Sequence, residues 1–96
     1  MSETLTIIAR IEAKKEHLDL VKTEIIKLIE PTLKEEGCMQ YDLHQDNEES
    51  EVFIFFENWA SKALWERHNE STHLAQFIKA TDGALESLVV NQMTKV

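Results

Sequence analysis

At 96 residues the chain has room for one domain, taken as residues 1–96, and a domain of that size buries only about 60–65% of the surface its unfolded chain exposes, so a partner is expected. With 43% apolar residues, two glycines and one proline the composition is that of a chain that builds a core. The formal charge of −8, from 10 basic against 18 acidic residues, argues against nucleic acid and anionic membrane, both of which are recognised by neutralising phosphates.

The first segment, "TLTIIARIEA", alternates with period two. Leu5, Ile7, Ala9, Ile11 and Ala13 share one side of a strand, and Ile8 and Arg10 take the other. No charged and apolar leader precedes it, and no apolar run approaches the roughly 20 residues of a membrane span, which predicts a cytoplasmic protein with no membrane partner. From Lys14 to Glu36, Leu18, Val21, Ile25, Leu28 and Ile29 recur at three and four, the pattern of an amphipathic helix. Pro31 removes a backbone donor inside that pattern and predicts a kink or break, and Gly37 ends the helix where a left-handed residue is needed.

"CMQYDLHQ" then alternates Met39, Tyr41 and Leu43 with polar residues, and "DNEESE" turns the chain into "VFIFFENW", which makes a hairpin. Cys38, the single cysteine, has no internal disulfide partner and is either a buried small apolar residue, the preferred reading, or a reactive thiol. The second hairpin strand is apolar on both faces, with Val52, Ile54 and Phe56 on one and Phe53 and Phe55 on the other. Helices of this chain can cover one face, and a second subunit is expected over the other, with Phe53 and Phe55 assigned to the subunit contact. Ser61 caps a short helix from Lys62 to about His68, and Ser71 or Thr72 caps another that carries Leu74, Phe77 and Ile78. After Gly83, "SLVVNQMTKV" reads as a last strand. Strand, helix, strand, strand, helices, strand is an α+β order: a ferredoxin-like split βαβ with an antiparallel sheet and helices on one face.

Several side chains have both a structural and a chemical reading. His68 ends a short helix, where an imidazole bonds last-turn carbonyls or acts as an acid-base group. His73 sits in the first turn of the next helix, as structure or pocket lining. Trp59 anchors the strand end, Tyr41 packs in the core or faces a substrate, and Glu57 orients His68 or pairs with Arg10. Trp65 reads as a core residue. His68 and His73 are five apart across a helix break, without a third ligand nearby in sequence, so no metal is expected.

"EEGCMQYDLHQD" followed by "FFENWASKALWERHNESTHLAQF" resembles the antibiotic biosynthesis monooxygenase family of small dimeric α+β barrels, nearest to its quinol monooxygenases. Glu35, Gly37, Cys38 and Tyr41 carry the resemblance at the helix-to-strand junction, and Glu57, Trp59, Ser61, Ala63, His68, Ser71, His73 and Phe77 carry it in the second half. The resemblance implies a homodimer with sheets packed face to face and a pocket between sheet and helices. It also implies oxidation of a small aromatic quinol or other electron-rich phenol by O2 with no flavin, haem or metal. On that reading His68, Tyr41 and Glu57 are catalytic, and Trp59, His73, Phe77 and Arg10 bind substrate. Haem-degrading relatives place a haem-contacting asparagine and an iron-binding histidine where an approximate register puts Ala9 and Ile78 here, which argues against haem. A non-catalytic ligand-binding dimer and an isomerase of a small phosphorylated signal are the alternatives, the latter needing Arg10, Arg67 or Lys62 in the pocket.

Overall fold

The computed structural model describes residues 4–96. β1 (Leu5–Ala13) leads through a 3-10 turn at Lys15–His17 into α1 (Leu18–Ile26) and α2 (Ile29–Leu33). The hairpin β2 (Cys38–Gln45) and β3 (Val52–Trp59), the helices α3 (Lys62–Asn69) and α4 (Thr72–Ala80), and β4 (Leu85–Met93) follow. The strands form one antiparallel sheet in the order β2-β3-β1-β4. That is the ferredoxin-like arrangement the sequence predicts.

The helix expected from Lys14 to Glu36 is divided. It breaks at Lys27 and Leu28, between α1 and α2, because Pro31 has no N–H to offer the Lys27 carbonyl four residues earlier. Pro31 then sits in the first turn of α2, where the missing donor costs little. Ser61 and Ser71 cap α3 and α4, each hydroxyl accepting from the backbone N–H three residues on, at 3.3 Å in both cases.

Side-chain alternation gives the sheet one covered face. Ile7, Ala9, Ile11, Phe53, Phe55 and Trp59 all lie beneath the helices, packed with Val21, Ile25 and Phe77. Phe53 and Phe55, each 1% exposed, therefore belong to the core of a single chain rather than to a subunit contact. The reason is parity: they share a face with Trp59, and that face is the one α1 and α4 cross. Ile54 and Phe56 point the other way, beside Ile8, onto a sheet surface that no helix or strand among the described residues covers.

Two glycines turn the chain with positive φ, Gly37 (85°) after α2 and Gly83 (78°) before β4. Gly37 is doubly constrained, since a β-carbon there would stand 2.8 Å from Leu64 Cβ and closer still to its Cδ1. Gly37→Ala is expected to cost about 2 kcal/mol or more through the left-handed backbone and the overlap with α3. Chemical denaturation of the two proteins, compared at constant m-value, checks this.

Candidate active site

Between the sheet and the C-terminal helices lies a cavity of about 270 Å³. Ile7, Ala9 and Ile11 of β1, Phe55 of β3, and Trp65, Leu74, Phe77 and Ile78 of α3 and α4 make its wall apolar. Among the described residues four polar side chains line it, Tyr41, Glu57, His68 and, at the end of α3, Asn69. The sheet register explains the first two: Glu57 stands between Ile7 on β1 and Tyr41 on β2, all on the helix face. A larger depression of about 720 Å³ on the far side of the sheet is lined by residues such as Thr6, Gln40 and Asn58, and among the described residues no acidic, histidine or tyrosine side chain borders it.

Aromatic contacts fix the polar groups. Tyr41 stacks on Phe55 at 4.4 Å between ring centroids, and His68 meets the edge of Tyr41 at 5.8 Å and the Trp59 indole at 4.9 Å. Trp59, wholly buried, donates its indole N–H to Glu57 Oε1 at 2.9 Å. Burial pushes the Glu57 carboxyl up to about 7, against the indole bond, which favours the charged form. Burial raises the Tyr41 phenol, with the Glu57 charge adding to it, and the same two causes push the Cys38 thiol up to about 11. Cys38 is thus an unreactive thiol at neutral pH.

Behind His68 the structure assembles a group that sequence spacing does not show. Glu35, past the end of α2, places Oε2 2.6 Å from His68 Nδ1 and 2.8 Å from His73 Nε2. The two histidines converge because α3 ends and α4 begins between them, which brings their rings to 5.9 Å. Burial lowers the His68 pKa even though Glu35 works to raise it, so the ring is neutral at pH 7, with Nδ1–H donated to Glu35 and Nε2 left to accept. His68 is buried and borders the cavity, whereas the side chains of Glu35 and His73 are 18% and 21% exposed and do not.

The three donor atoms of Glu35, His68 and His73 lie within 4.8 Å of one another, so the third group that the metal argument lacked is present in space. Ligands around one ion at bonds of about 2.1 Å stand roughly 3–3.5 Å apart. The oxygen here is nearer than that to both nitrogens, at hydrogen-bond distances.

Of the residues singled out from sequence, Tyr41, Glu57, His68 and Phe77 line the cavity, while Trp59 and His73 support it from behind. Arg10 is not there. Its side chain leaves β1 on the uncovered face and pairs with Glu12 at 3.3 Å, since its position has the parity of Ile8 and not of Ile7. Glu57 orients neither His68 nor Arg10; Glu35 takes the first role and Glu12 the second partner. Trp65 is a half-buried cavity wall rather than a core residue. Glu35 carries the family resemblance without a role assigned to it, and its local signal is a carboxylate close behind a helix C-terminus, where the dipole disfavours it and a compensating partner is called for.

The sequence profile of the family described as "Antibiotic biosynthesis monooxygenase" matches residues 4–80. YcnE of Bacillus subtilis, named "Putative monooxygenase YcnE", is 33% identical over 70 residues, 73% of this chain and 74% of its own. The uncharacterized protein sll1783 of Synechocystis is 30% identical over 77% of this chain, which spans 48% of that relative's length. The crystal structure of PA3566 from Pseudomonas aeruginosa superposes with a TM-score of 0.94 at 35% identity, covering 100% of this chain and 97% of that one. The chain belongs to the antibiotic biosynthesis monooxygenase family.

The raised Glu57 pKa has a consequence for stability. Between the ordinary value of 4.5 and about 7 the folded chain keeps a proton that the unfolded chain has lost. Glu57 therefore makes stability fall as pH rises through that window, by about 3 kcal/mol in all. Its replacement in Glu57→Gln is expected to remove that decline. The difference between the two proteins' denaturation free energies, measured from pH 4.5 to 8, isolates the effect from the opposite slope that His68 contributes below 6.5.

Proposed function

We propose that the chain is a cofactor-independent monooxygenase that oxidises a quinol or other electron-rich phenol with O2. The observation that carries the reading is the convergence of Glu57, His68 and Tyr41 on a largely apolar cavity of about 270 Å³, whose one further polar lining residue among those described is Asn69. A dry cavity of about 150 Å³ takes a benzene-sized guest, so this one suits one or two rings. A phenolate transfers an electron to O2 unaided, and what it asks of a protein is desolvation, a base and donors for developing charge.

His68 Nε2 takes the phenol proton, with Nδ1–H anchored on Glu35. The phenolate passes one electron to O2, and the radical pair collapses to a peroxide at a ring carbon. Loss of water then leaves a new carbonyl, so that one oxygen atom enters the product and one leaves as water, with the substrate as the only reductant. Protonated Glu57 and the Tyr41 hydroxyl, both on residues that line the cavity, are the donors this reading assigns to the peroxide oxygens.

The other readings find less support. Ala9 and Ile78, at the positions expected to serve haem, offer the cavity only hydrocarbon. Arg10, Arg67 and Lys62, wanted for a phosphorylated substrate, are all absent from the wall, and Arg67 is engaged with Glu36 at 3.3 Å on the surface.

Oxygen uptake with reduced naphthoquinols and no added cofactor is the direct test. His68→Ala should lower the rate by about two to four orders of magnitude. Uptake that stays at the autoxidation background across a panel of quinols would favour a binding module, and uptake that needs added flavin or metal would remove the cofactor-free mechanism.

The uncovered sheet face with Ile8, Ile54 and Phe56 is the surface on which a second copy is expected to pack, sheet to sheet. Light scattering should return about twice the 11.1 kDa chain mass, and Phe56→Glu should return the mass of one chain with the far-ultraviolet spectrum kept. A wild-type monomer rules the dimer out.

A further inference from the structure

We infer that the phenolic substrate carries an uncharged hydrocarbon substituent and that a groove between α4 and β4 receives it; the inference rests on the monooxygenase reading for the reacting ring and adds the substrate class. Sheet order sorts the cavity wall by polarity. In the order β2-β3-β1-β4 the helix-covered face presents Tyr41 and Glu57 on the first two strands, Ala9 and Ile11 on the third, and Val90 and Leu88 on the fourth. His68 meets the edge of the Tyr41 ring, so it stands at the same end as the two polar strand residues. The β4 end, two strand spacings or roughly 10 Å from Glu57, offers the cavity only the hydrocarbon of Leu88, Val90 and, on α4, Ile78. Between the two ends lies Ala9, whose methyl group sits in register with Phe55 on one side and Val90 on the other and leaves the middle of the floor low.

The apolar end is also the open one. Ile78 is 56% exposed, Leu88 48% and Val90 46%, whereas Tyr41, Glu57 and His68 are buried. A second hollow of about 200 Å³ adjoins the cavity there, with Phe77, Ile78 and Leu88 common to both walls. It reaches the α4–β4 turn, where Leu85 adds further hydrocarbon. Of its two polar side chains, Thr81 spends its hydroxyl on the Phe77 carbonyl at 2.7 Å and Asp82 is exposed at the outer end. No lysine or arginine among the described residues lines either hollow, so a carboxylate or phosphate on the substituent would meet Asp82 and no cation. A ligand with a polar aromatic head and an apolar tail matches this order: the ring oxygen beside Glu57 and His68, the ring over β1, and the tail past Ile78 and Leu88 into the second hollow. Covering those side chains removes apolar surface from water, and that gain selects the tailed substrate.

The test measures binding and does not depend on turnover. Naphthoquinones bearing hydrogen, methyl or pentyl beside a carbonyl are titrated into the full chain and followed by quenching of tryptophan emission, Trp65 being part of the cavity wall. The pentyl compound should bind at least about tenfold more tightly than the methyl one; its four extra methylenes would give about 200-fold if fully buried, and a half-open groove covers part of each. Leu88→Asp and Ile78→Asp, at half-exposed positions where a charge reaches water, should each cut that ratio below about threefold, because the tail would then lie against a carboxylate. Leu20→Asp, at an exposed position of α1 outside both hollows, should leave the ratio as it is. In oxygen uptake with the corresponding quinols, the change from methyl to pentyl should lower KM by a similar factor with kcat kept, the mark of binding remote from the reacting carbon. A wild-type ratio near one, or a ratio that survives both aspartates, would overturn the groove and leave the oxygenase reading standing. A ratio lost in both variants of a protein that consumes no O2 with any of the three quinols would support the groove and remove that reading. Failure of all three quinones to bind would overturn both.

Discussion

One carboxylate oxygen ties together three segments that are distant in sequence. Glu35 Oε2, held between His68 and His73, links the end of α2 to the end of α3 and the start of α4. A charged acceptor that receives two short hydrogen bonds in a partly dry place is worth more than a pair of surface contacts, because each bond is charge-assisted and poorly screened. It also sets the tautomer of His68, since only Nδ1 reaches it. The accepting nitrogen that the proposed chemistry needs at the cavity is a consequence of that choice.

Glu57 is the counterpart on the sheet. Its backbone position is dictated by the pairing of β3 with β1 and β2, which leaves the carboxylate on the helix face between Ile7 and Tyr41. One polar anchor, the Trp59 indole, keeps it from being an orphan. One anchor is too few to offset burial, so the group holds its proton into the neutral range. The site therefore contains two carboxylates in contrasting surroundings, one doubly hydrogen-bonded beside solvent and one nearly alone in an apolar wall. Contrast of this kind is the physical basis on which carboxylates in one site take different protonation states.

The sheet has two faces with different tasks. The helix-covered face holds the core and the cavity, while the opposite face keeps Ile8, Ile54 and Phe56 half-buried within a single chain. In a domain this small, covering that face adds apolar burial that the chain cannot provide for itself. Among the described residues no helix is long and apolar enough to cross a membrane.

Sequence alone determined the order of elements, the helix cap at Ser61, the left-handed turn at Gly37 and the inward face of β1, and it left the second cap between Ser71 and Thr72, where the structure has Ser71. All of these are local: a period of two or of three and four, a hydroxyl before a helix, a glycine after one. The same reasoning drew attention to Tyr41, Glu57, His68 and Phe77, and these do meet at the cavity. It erred where parity or distance decided. Which face of a two-sided strand the helices would cover depends on how the β1–β3 register meets the helix layer, so Phe53 and Phe55 were assigned to the wrong side; Arg10 lies on the side that the alternation gave it, opposite Ile7, and for that reason does not reach the cavity that its substrate-binding assignment required. The partner of His68 lies 33 residues away, beyond the reach of any spacing rule. Only the packing of α2, α3 and α4 on the sheet brings that oxygen and those two nitrogens together, because the site is made where helix ends meet and not by any one segment.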